Sequence, residues 1–156
     1  MPKILEEGVK APAFSLPTDG GGKIALKDFA GEKLVLYFYP KDDTEGCTKE
    51  AVGFSENIKA FQKAGAVVVG VSKDSVAKHD KFKDKHGLKV TLGSDETGKT
   101  VQAYGVWGEK TLYGRKFMGI ERSTFLIDAK GVIRRVWRKV RVPGHVAEVL
   151  EAVKAL

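Results

Sequence analysis

The sequence contains a single cysteine, Cys47, and its surroundings favour a reactive thiol. Cys47 follows a polar stretch, residues 41–46, and precedes a pattern in which apolar residues recur with helical spacing from Ala51 to Phe61. The cysteine is therefore predicted at or near the first turn of a helix. Unpaired backbone N–H groups at that position point at an anion and favour the thiolate over the thiol. We expect Cys47 to be nucleophilic.

A helix terminus is not sufficient to activate a thiol strongly. It stabilises an anion by about 0.3–1 kcal/mol, whereas lowering a thiol pKa from about 8.5 to about 6 takes about 3.4 kcal/mol. A permanent cation must contribute, and Arg122, which lies just before a predicted strand, is the best candidate. The alternative is a surface arginine paired with Glu121 or another acid. Thr44, three residues before Cys47, can add a hydroxyl that donates to the sulfur or to a reacting oxygen.

Three acids near the cysteine oppose the thiolate, namely Asp42, Asp43 and Glu45. Lys41 and Lys49 largely offset them. All five side chains are predicted to be exposed, so their effects are screened by solvent and salt.

Predicted strands and helices alternate along the chain. The apolar run at residues 34–39 predicts a central strand that is covered on both faces and ended by Pro40. The other predicted strands are residues 66–71, 90–93, 123–127 and 132–140, and the predicted helices are one from Cys47 to about Gly65, then 75–85, 99–104 and about 146–153. Asp74 or Ser72 is the expected cap of the helix at 75–85. Residues 105–121, with four glycines, are predicted to be a long surface excursion.

This order of elements predicts an α/β protein. Alternating strands and helices give parallel strands, and the last two strands form a hairpin that adds antiparallel ones. The glycine-rich segment at residues 19–22 predicts an amino-terminal β-hairpin within residues 14–26. The expected architecture is a thioredoxin-like fold, a mixed sheet flanked by helices, in one domain that spans residues 1–156.

The composition is that of a globular protein, with no long polar tract. The first ten residues do not resemble a secretory signal, and no apolar run is long enough to span a bilayer. We therefore expect a cytoplasmic protein that does not bind membranes, which suits a lone reduced cysteine. The net charge of +7 is scattered, and its densest cluster lies within residues 134–141. That cluster is interpreted as a solvated strand face, the alternative being an acidic partner or RNA; no nucleic-acid partner is expected.

Two segments together resemble a known family. They are residues 37–51, with Pro40, Thr44, Gly46 and Cys47, and the downstream run of residues 122–128 that begins at Arg122. The sequence closely resembles peroxiredoxins of the bacterioferritin comigratory protein (PrxQ) subfamily over nearly its whole length. The resemblance implies a thiol peroxidase that reduces hydrogen peroxide and organic hydroperoxides.

The resemblance also assigns roles to individual residues. It makes Cys47 the peroxidatic cysteine, which attacks the peroxide and becomes a sulfenic acid. It makes Thr44 and Arg122 the activators of that cysteine, with the N–H groups of Gly46 and Cys47 stabilising the leaving oxygen. Pro40 limits the access of water to the sulfur.

The sequence departs from the subfamily at three positions. A resolving cysteine often lies where this chain has Val52 or Lys83, so an external thiol is expected to reduce Cys47 directly. Thioredoxin and glutathione with glutaredoxin are the expected donors. Glu45 replaces a more usual proline, and its charge is expected to disfavour the thiolate modestly.

The remaining chemistry-bearing residues do not form a second site in the sequence. His79, His86 and His145 are interpreted as surface or capping histidines, which makes a cysteine–histidine hydrolase or a metal centre a weak alternative. No metal or cofactor is expected. The alternative of another class is a non-enzymatic peroxide sensor or binding module with the same fold. The chain is expected to be a monomer or at most a weak dimer.

Overall fold

The computed structural model describes residues 5–156. Residues 1–4, part of the segment in which no secretory signal is predicted, lie outside the described residues. Within residues 5–156, no helix is both long enough and apolar enough to cross a membrane.

The described residues form nine strands and five α-helices, with two short 3₁₀ turns at Asp19–Gly21 and Leu26–Phe29. In chain order, the strands are β1 (Ser15–Pro17), β2 (Lys23–Ala25), β3 (Lys33–Phe38), β4 (Ala66–Ser72), β5 (Thr91–Ser94), β6 (Trp107–Leu112), β7 (Arg115–Ile120), β8 (Ser123–Ile127) and β9 (Ile133–Trp137). The helices are α1 (Glu45–Glu56), α2 (Ile58–Lys63), α3 (Val76–His86), α4 (Lys99–Ala103) and α5 (His145–Lys154).

Five strands make the central sheet, in the order β5-β4-β3-β8-β9. β3, β4 and β5 are parallel, whereas β8 is antiparallel to both β3 and β9. The antiparallel pair β1–β2 forms the predicted amino-terminal hairpin. The predicted mixed sheet with flanking helices is confirmed.

β3 is central because its residues are buried on both faces of the sheet. Side chains alternate along a strand, so successive residues of β3 enter two separate cores. Val35 and Tyr37 pack in the core that includes Phe54 of α1, together with residues of α2, α3 and α5. Leu36 and Phe38 pack in the core on the other face, which includes α4 and the amino-terminal hairpin. This double burial fixes the position of the loop that follows β3.

Two details of the helices differ from the prediction. The helix that follows Cys47 is interrupted at Asn57, whose side-chain amide donates to the carbonyl of Gly53 at 2.8 Å. Such side-chain bonds compete with the helical backbone pattern. The cap of α3 is Ser75, which accepts from the N–H of Lys78 at 3.2 Å, and not Asp74 or Ser72.

Most of residues 105–121 lie at the surface, as predicted, but they form a regular antiparallel hairpin that the sequence analysis did not predict. β6 and β7 pair in antiparallel register, with Gly108 opposite Gly119, and a two-residue turn joins them. Two of the four glycines, Gly108 and Gly119, therefore lie within strands, whereas Gly114 lies in the turn. The last predicted strand is shorter than expected: β9 ends at Trp137, and the positive φ of 49° at Lys139 is incompatible with an extended strand.

Lys33 at the start of β3 joins two helix ends. Its Nζ donates to the carbonyls of Ala64 and Val153, each at 3.0 Å, at the carboxyl ends of α2 and α5. An ammonium group at that position satisfies carbonyls that lack helical partners and complements the helix dipoles. Lys33 therefore ties α2 and α5 to the central strand.

Replacing Lys33 by methionine is expected to lower the free energy of unfolding by about 2 kcal/mol, because two charge-assisted hydrogen bonds are lost while the aliphatic stem is kept. Urea denaturation measures this change. Lys63→Met, on the exposed surface of α2, is the control and is expected to change stability by less than about 0.5 kcal/mol. Equal effects of the two substitutions would show that the double contact contributes nothing.

Candidate active site

Cys47 lies in the first turn of α1, as predicted. Thr44 is the residue that precedes the helix, and the first helical hydrogen bond runs from the N–H of Thr48 to the carbonyl of Thr44 at 2.8 Å. The N–H groups of residues 45–47 therefore precede the first helical bond and are free to face an anion. The cysteine is 1% exposed, so its sulfur lies in a site from which bulk water is largely excluded.

Arg122 contacts the sulfur. Its Nη2 donates to the Sγ of Cys47 at 3.2 Å, and its Nη1 donates to Oε1 of Glu50 at 2.7 Å. β8 places the arginine there, because Ser123 pairs with Phe38 at the end of β3. That end of β3 leads into residues 39–44, which precede the helix of Cys47 and are called the cysteine loop. The alternative pairing with Glu121 is wrong. Because Arg122 stays charged, it can stabilise a thiolate at this distance.

Gly46 leaves room for the guanidinium. A Cβ atom at this position would lie 3.1 Å from Nη2 of Arg122. A larger residue would therefore press on the arginine beside the sulfur. The backbone of Gly46 and the guanidinium of Arg122 are therefore in close contact beside the cysteine.

Glu50 is a site residue that the sequence prediction missed. It lies on α1, three positions after Cys47, and is fully buried. Burial raises the pKa of its carboxyl to about 7, against the opposing charge and hydrogen bonds of Arg122. A buried carboxylate needs a cation, and this ion pair holds the guanidinium with its second nitrogen on the sulfur. An acidic residue on the apolar face of α1 was the available signal, since Ala51 and Phe54 share its surroundings.

The structure shows no hydrogen bond between the Cys47 sulfur and either Thr44 or Pro40. The Thr44 hydroxyl donates to the carbonyl of Lys41 at 2.9 Å, so its proton is directed away from Cys47. Its oxygen keeps lone pairs that can accept a hydrogen bond. Pro40 is half-buried and lies two residues after the end of β3. The structure thus joins Cys47 directly to Arg122, with Thr44 close by in the chain.

Two of the acids near the cysteine are paired with cations at the surface. Asp43 accepts from Lys85 at 2.7 Å and lies 2.9 Å from Nε2 of His86, and these hydrogen bonds lower the pKa of its carboxyl. Glu45 pairs with Lys49 at 3.1 Å, one turn further along α1. Their negative charges are thus offset locally, which reduces their effect on a thiolate.

The third acid, Asp42, is buried, and the prediction that it is exposed is wrong. Oδ2 lies 2.6 Å from Nδ1 of His79, and the backbone N–H donates to Asp74 at 2.8 Å. His79, predicted to lie at the surface, is fully buried, and its Nε2 lies 2.9 Å from the carbonyl of Gly93. Burial opposes protonation of His79, but the hydrogen bond and charge of Asp42 raise its pKa above the ordinary value. This pair anchors the cysteine loop to α3.

His145 is also buried, whereas a surface or capping histidine was predicted. It begins α5, and its Nε2 lies 2.8 Å from the hydroxyl of Thr124. The ring packs edge-on against Phe54 and Trp137. Burial lowers the pKa of the imidazole to about 4, with a smaller lowering from Arg122 and an opposing effect of Glu148.

The lowered pKa of His145 makes the free energy of unfolding depend on pH below about pH 6.5. Between about pH 6.5 and pH 4 the unfolded histidine binds a proton that the folded one does not, so stability is lost as the pH falls. The free-energy difference between wild type and His145→Gln is expected to fall by about 2 kcal/mol from pH 7 to pH 4.5. Urea denaturation at both pH values measures it. A difference that is the same at both pH values would contradict the assignment.

The two positions at which relatives can carry a second cysteine hold other residues. Val52 is half-buried on α1. Lys83 lies on α3, and its Nζ donates to Asp19 at 2.6 Å, which fastens α3 to the first 3₁₀ turn. Neither side chain can form a disulfide with Cys47.

Comparison with known proteins agrees with this geometry. The model of the AhpC/TSA family matches residues 8–136. A putative peroxiredoxin Bcp of Coxiella burnetii is 56% identical over 94% of this chain and 97% of its own length. Peroxiredoxin Bcp of Bacillus subtilis is 49% identical over 96% of each chain. The chain therefore belongs to the AhpC/TSA family, and it is a thiol peroxidase that uses a peroxide substrate and a thiol reductant.

Solved structures place the chain more narrowly within that family. The bacterioferritin comigratory protein of Xanthomonas campestris superposes with a TM-score of 0.90 at 44% identity, covering 96% of this chain and 98% of that one. Peroxiredoxin Q of Xylella fastidiosa superposes with a TM-score of 0.93 at 40% identity, covering 98% of both chains. The chain is a peroxiredoxin of the Bcp/PrxQ group, and the predicted thioredoxin-like fold is confirmed.

Proposed function

We propose that Cys47 is the peroxidatic cysteine of a one-cysteine peroxidase, and that Arg122 activates it. The observation that carries this proposal is the contact of 3.2 Å between Nη2 of Arg122 and Sγ of Cys47 at the start of α1. Together the cation and the free N–H groups favour a thiolate in a dry site, where the electrostatic effect of each is strong. We assign a single domain to residues 1–156, and the two cores that share one central sheet within residues 5–156 support this assignment.

The first step is attack of the Cys47 thiolate on the terminal oxygen of a hydroperoxide. A sulfur–oxygen bond forms, the oxygen–oxygen bond breaks, and the leaving oxygen takes a proton to depart as water or an alcohol. Arg122 and the N–H groups of Gly46 and Cys47 stabilise the charge that develops on that oxygen. The proposed substrates are hydrogen peroxide and organic hydroperoxides. Organic hydroperoxides are included because the related bacterioferritin comigratory protein of X. campestris has alkyl peroxide reduction activity.

Thr44 and Pro40 shape the approach of the substrate. Since the Thr44 hydroxyl donates to Lys41, its oxygen is oriented to accept the O–H of a hydroperoxide. That hydrogen bond would turn the terminal oxygen toward Sγ. Pro40, half-buried after β3, limits the access of water to the sulfur.

The second step is reduction of the Cys47 sulfenic acid by an external thiol. Cys47 is the only cysteine in the sequence, so an internal disulfide cannot form. An outside thiolate attacks the Cys47 sulfur and water leaves, and a second thiol then releases the thiolate from the mixed disulfide. Thioredoxin and glutathione with glutaredoxin are the proposed donors. A cytoplasmic location and a monomeric state, with at most weak dimerisation, complete the proposal.

Counting peroxide equivalents tests this function. The purified protein is supplied with excess hydrogen peroxide and dithiothreitol, and the peroxide consumed per mole of protein is measured against a blank without protein. A peroxidase is expected to consume many equivalents. Consumption of one equivalent, followed by arrest with dithiothreitol still present, would overturn the proposal in favour of a stoichiometric peroxide sensor.

A further inference from the structure

Exposed apolar side chains are concentrated on the β6–β7 hairpin. Of the five large hydrophobic residues that are exposed in the described chain, four belong to this hairpin: Leu112, Tyr113, Phe117 and Met118. Single exposed hydrophobic residues are common, but a cluster on one projecting element marks an interaction surface. The hairpin is peripheral to both cores except at its base, where Ile120 is buried.

The turn of the hairpin carries an unusual residue. Tyr113 and Gly114 both have positive φ, 51° and 76°, in a two-residue turn for which Asn-Gly is strongly preferred. The tyrosine side chain is 97% exposed and gains no packing that would offset its strained backbone. A large aromatic side chain held at this position without packing inside the described chain is available for contact with a partner.

One face of the hairpin combines apolar and basic side chains. Side chains two positions apart share a face, and the register pairs Lys110 with Phe117 and Leu112 with Arg115. Arg115 makes no ion pair with any described residue. On the opposite face, Lys116 lies 3.8 Å from Glu109, so charge there is partly offset. We call the face that carries Lys110, Leu112, Arg115 and Phe117 the apolar-basic face.

The charge of the apolar-basic face selects among partners. A surface on which Leu112 and Phe117 lie beside Arg115, with the more buried Lys110 on the same face, complements a partner that is apolar and acidic. A second copy of this chain presents the same cations and a net charge of +7, so electrostatic repulsion opposes self-association through this face.

The base of the hairpin adjoins Arg122 in the chain. β7 ends at Ile120, two residues before Arg122. The N–H of Glu121 donates to the carbonyl of Val106 at 2.7 Å, and Nζ of Lys110 donates to the carbonyl of Ile120 at 2.9 Å, which closes the base of the hairpin. The element that carries the exposed apolar residues thus continues within two residues into Arg122, which contacts the Cys47 sulfur.

We propose that the apolar-basic face and Tyr113 form the docking surface for a protein dithiol reductant whose own active-site surface is apolar and acidic. The inference rests on the proposed function, since it supplies the partner of its second step. One thiolate of the bound reductant attacks the Cys47 sulfur of the sulfenic acid, and hydroxide leaves with a proton as water. Its second thiol then displaces Cys47 as a thiolate, and the reductant is oxidised to a disulfide.

Steady-state kinetics with two kinds of donor test the surface. The probes are thioredoxin with its NADPH-dependent reductase, glutaredoxin with glutathione, and dithiothreitol as a small donor that needs no docking. Leu112→Ser/Phe117→Ser is expected to raise KM for the protein donor about tenfold, as expected for loss of anchoring side chains. Turnover with dithiothreitol is expected to stay unchanged. Met118→Ser, on the opposite face, is the matched control and is expected to leave both values unchanged.

Two further variants separate docking from hairpin stability. Asparagine adopts the positive φ of this turn more readily than tyrosine. The melting temperature of the Tyr113→Asn protein is therefore expected to equal or exceed that of the wild type, while its KM for the protein donor rises. Arg115→Glu is expected to raise that KM more at low than at high salt, whereas Lys116→Glu, on the opposite face, is expected to change it little.

Several outcomes overturn the proposal. The first is an unchanged KM for the protein donor in Leu112→Ser/Phe117→Ser. The second is a wild-type protein that turns over with dithiothreitol but with neither protein donor. Loss of binding to phosphatidylglycerol vesicles, or loss of a dimer, in that variant with KM unchanged would assign the face to a membrane or to a second copy. Absence of turnover even with dithiothreitol is a different result, because it contradicts the peroxidase function itself.

Discussion

Replacing Cys47 by serine is expected to reduce peroxide consumption to the rate measured without protein. A serine hydroxyl at this position is not ionised near neutral pH and cannot cycle through a sulfenic acid. No other cysteine is present to substitute for it. Stopped-flow or electrode measurement of peroxide in the presence of dithiothreitol checks the result.

The Cys47→Ser variant is also expected to remain folded. Serine is close in size to cysteine, and Arg122 can still donate to its oxygen from the position it holds 3.2 Å from the sulfur. Its thermal melt is the control for this loss of activity. A folded Cys47→Ser protein that retains turnover above the blank would place the chemistry at another group and contradict the assignment.

Replacing Arg122 by methionine is expected to lower the second-order rate constant for hydrogen peroxide by about 10²–10³-fold, the size of effect seen when one preorganised donor to a developing charge is removed. Methionine keeps part of the aliphatic volume but supplies neither the charge nor the donors to Cys47. Stopped-flow oxidation of the reduced protein measures the rate constant. Arg134→Met, at an exposed arginine of β9, is the matched control and is expected to leave it unchanged.

The Arg122 variant needs a second control, because it leaves Glu50 buried without its cation. Loss of one member of a buried pair costs about 3–5 kcal/mol of stability. Adding Glu50→Gln removes the unpaired charge, so the double variant Arg122→Met/Glu50→Gln is expected to recover much of the stability. Its rate constant is expected to stay low. Recovery of the rate together with stability would show that Arg122 acts only through folding.

The sequence predicted the elements whose pattern is set by burial. The continuous apolar run at residues 34–39 indicated a strand covered on both faces, and β3 lies at the centre of the sheet with a core on each side. The 3, 4, 3 spacing from Ala51 to Phe61 likewise placed Cys47 at a helix start. Both patterns depend on many apolar side chains, so a single exception does not change them.

The polar contacts of the site were harder to predict from the sequence. Glu50 is 72 positions from Arg122, and Asp42 is 37 positions from His79. Sequence spacing carries no information about pairs that meet only when strands and helices pack. A charged residue is also usually exposed, so burial of Asp42, Glu50 and His79 runs against the ordinary preference of their residue types.

The hairpin at residues 105–121 was missed for a different reason. Four glycines in this segment suggested a long surface excursion, yet Gly108 and Gly119 face each other across β6 and β7. Its exposed apolar residues lack the alternation of a strand that covers a core. The interaction proposed for this element therefore also accounts for its unusual sequence.

Intact-mass spectrometry after one equivalent of peroxide tests the one-cysteine cycle most directly. The reduced protein is mixed with hydrogen peroxide, sampled without reductant, and sampled again after one equivalent of glutathione. The expected sequence is a monomer that has gained one oxygen atom at Cys47, followed by a mixed disulfide with glutathione. A disulfide-linked homodimer or an internal crosslink as the obligatory intermediate would contradict direct reduction of Cys47 by an external thiol.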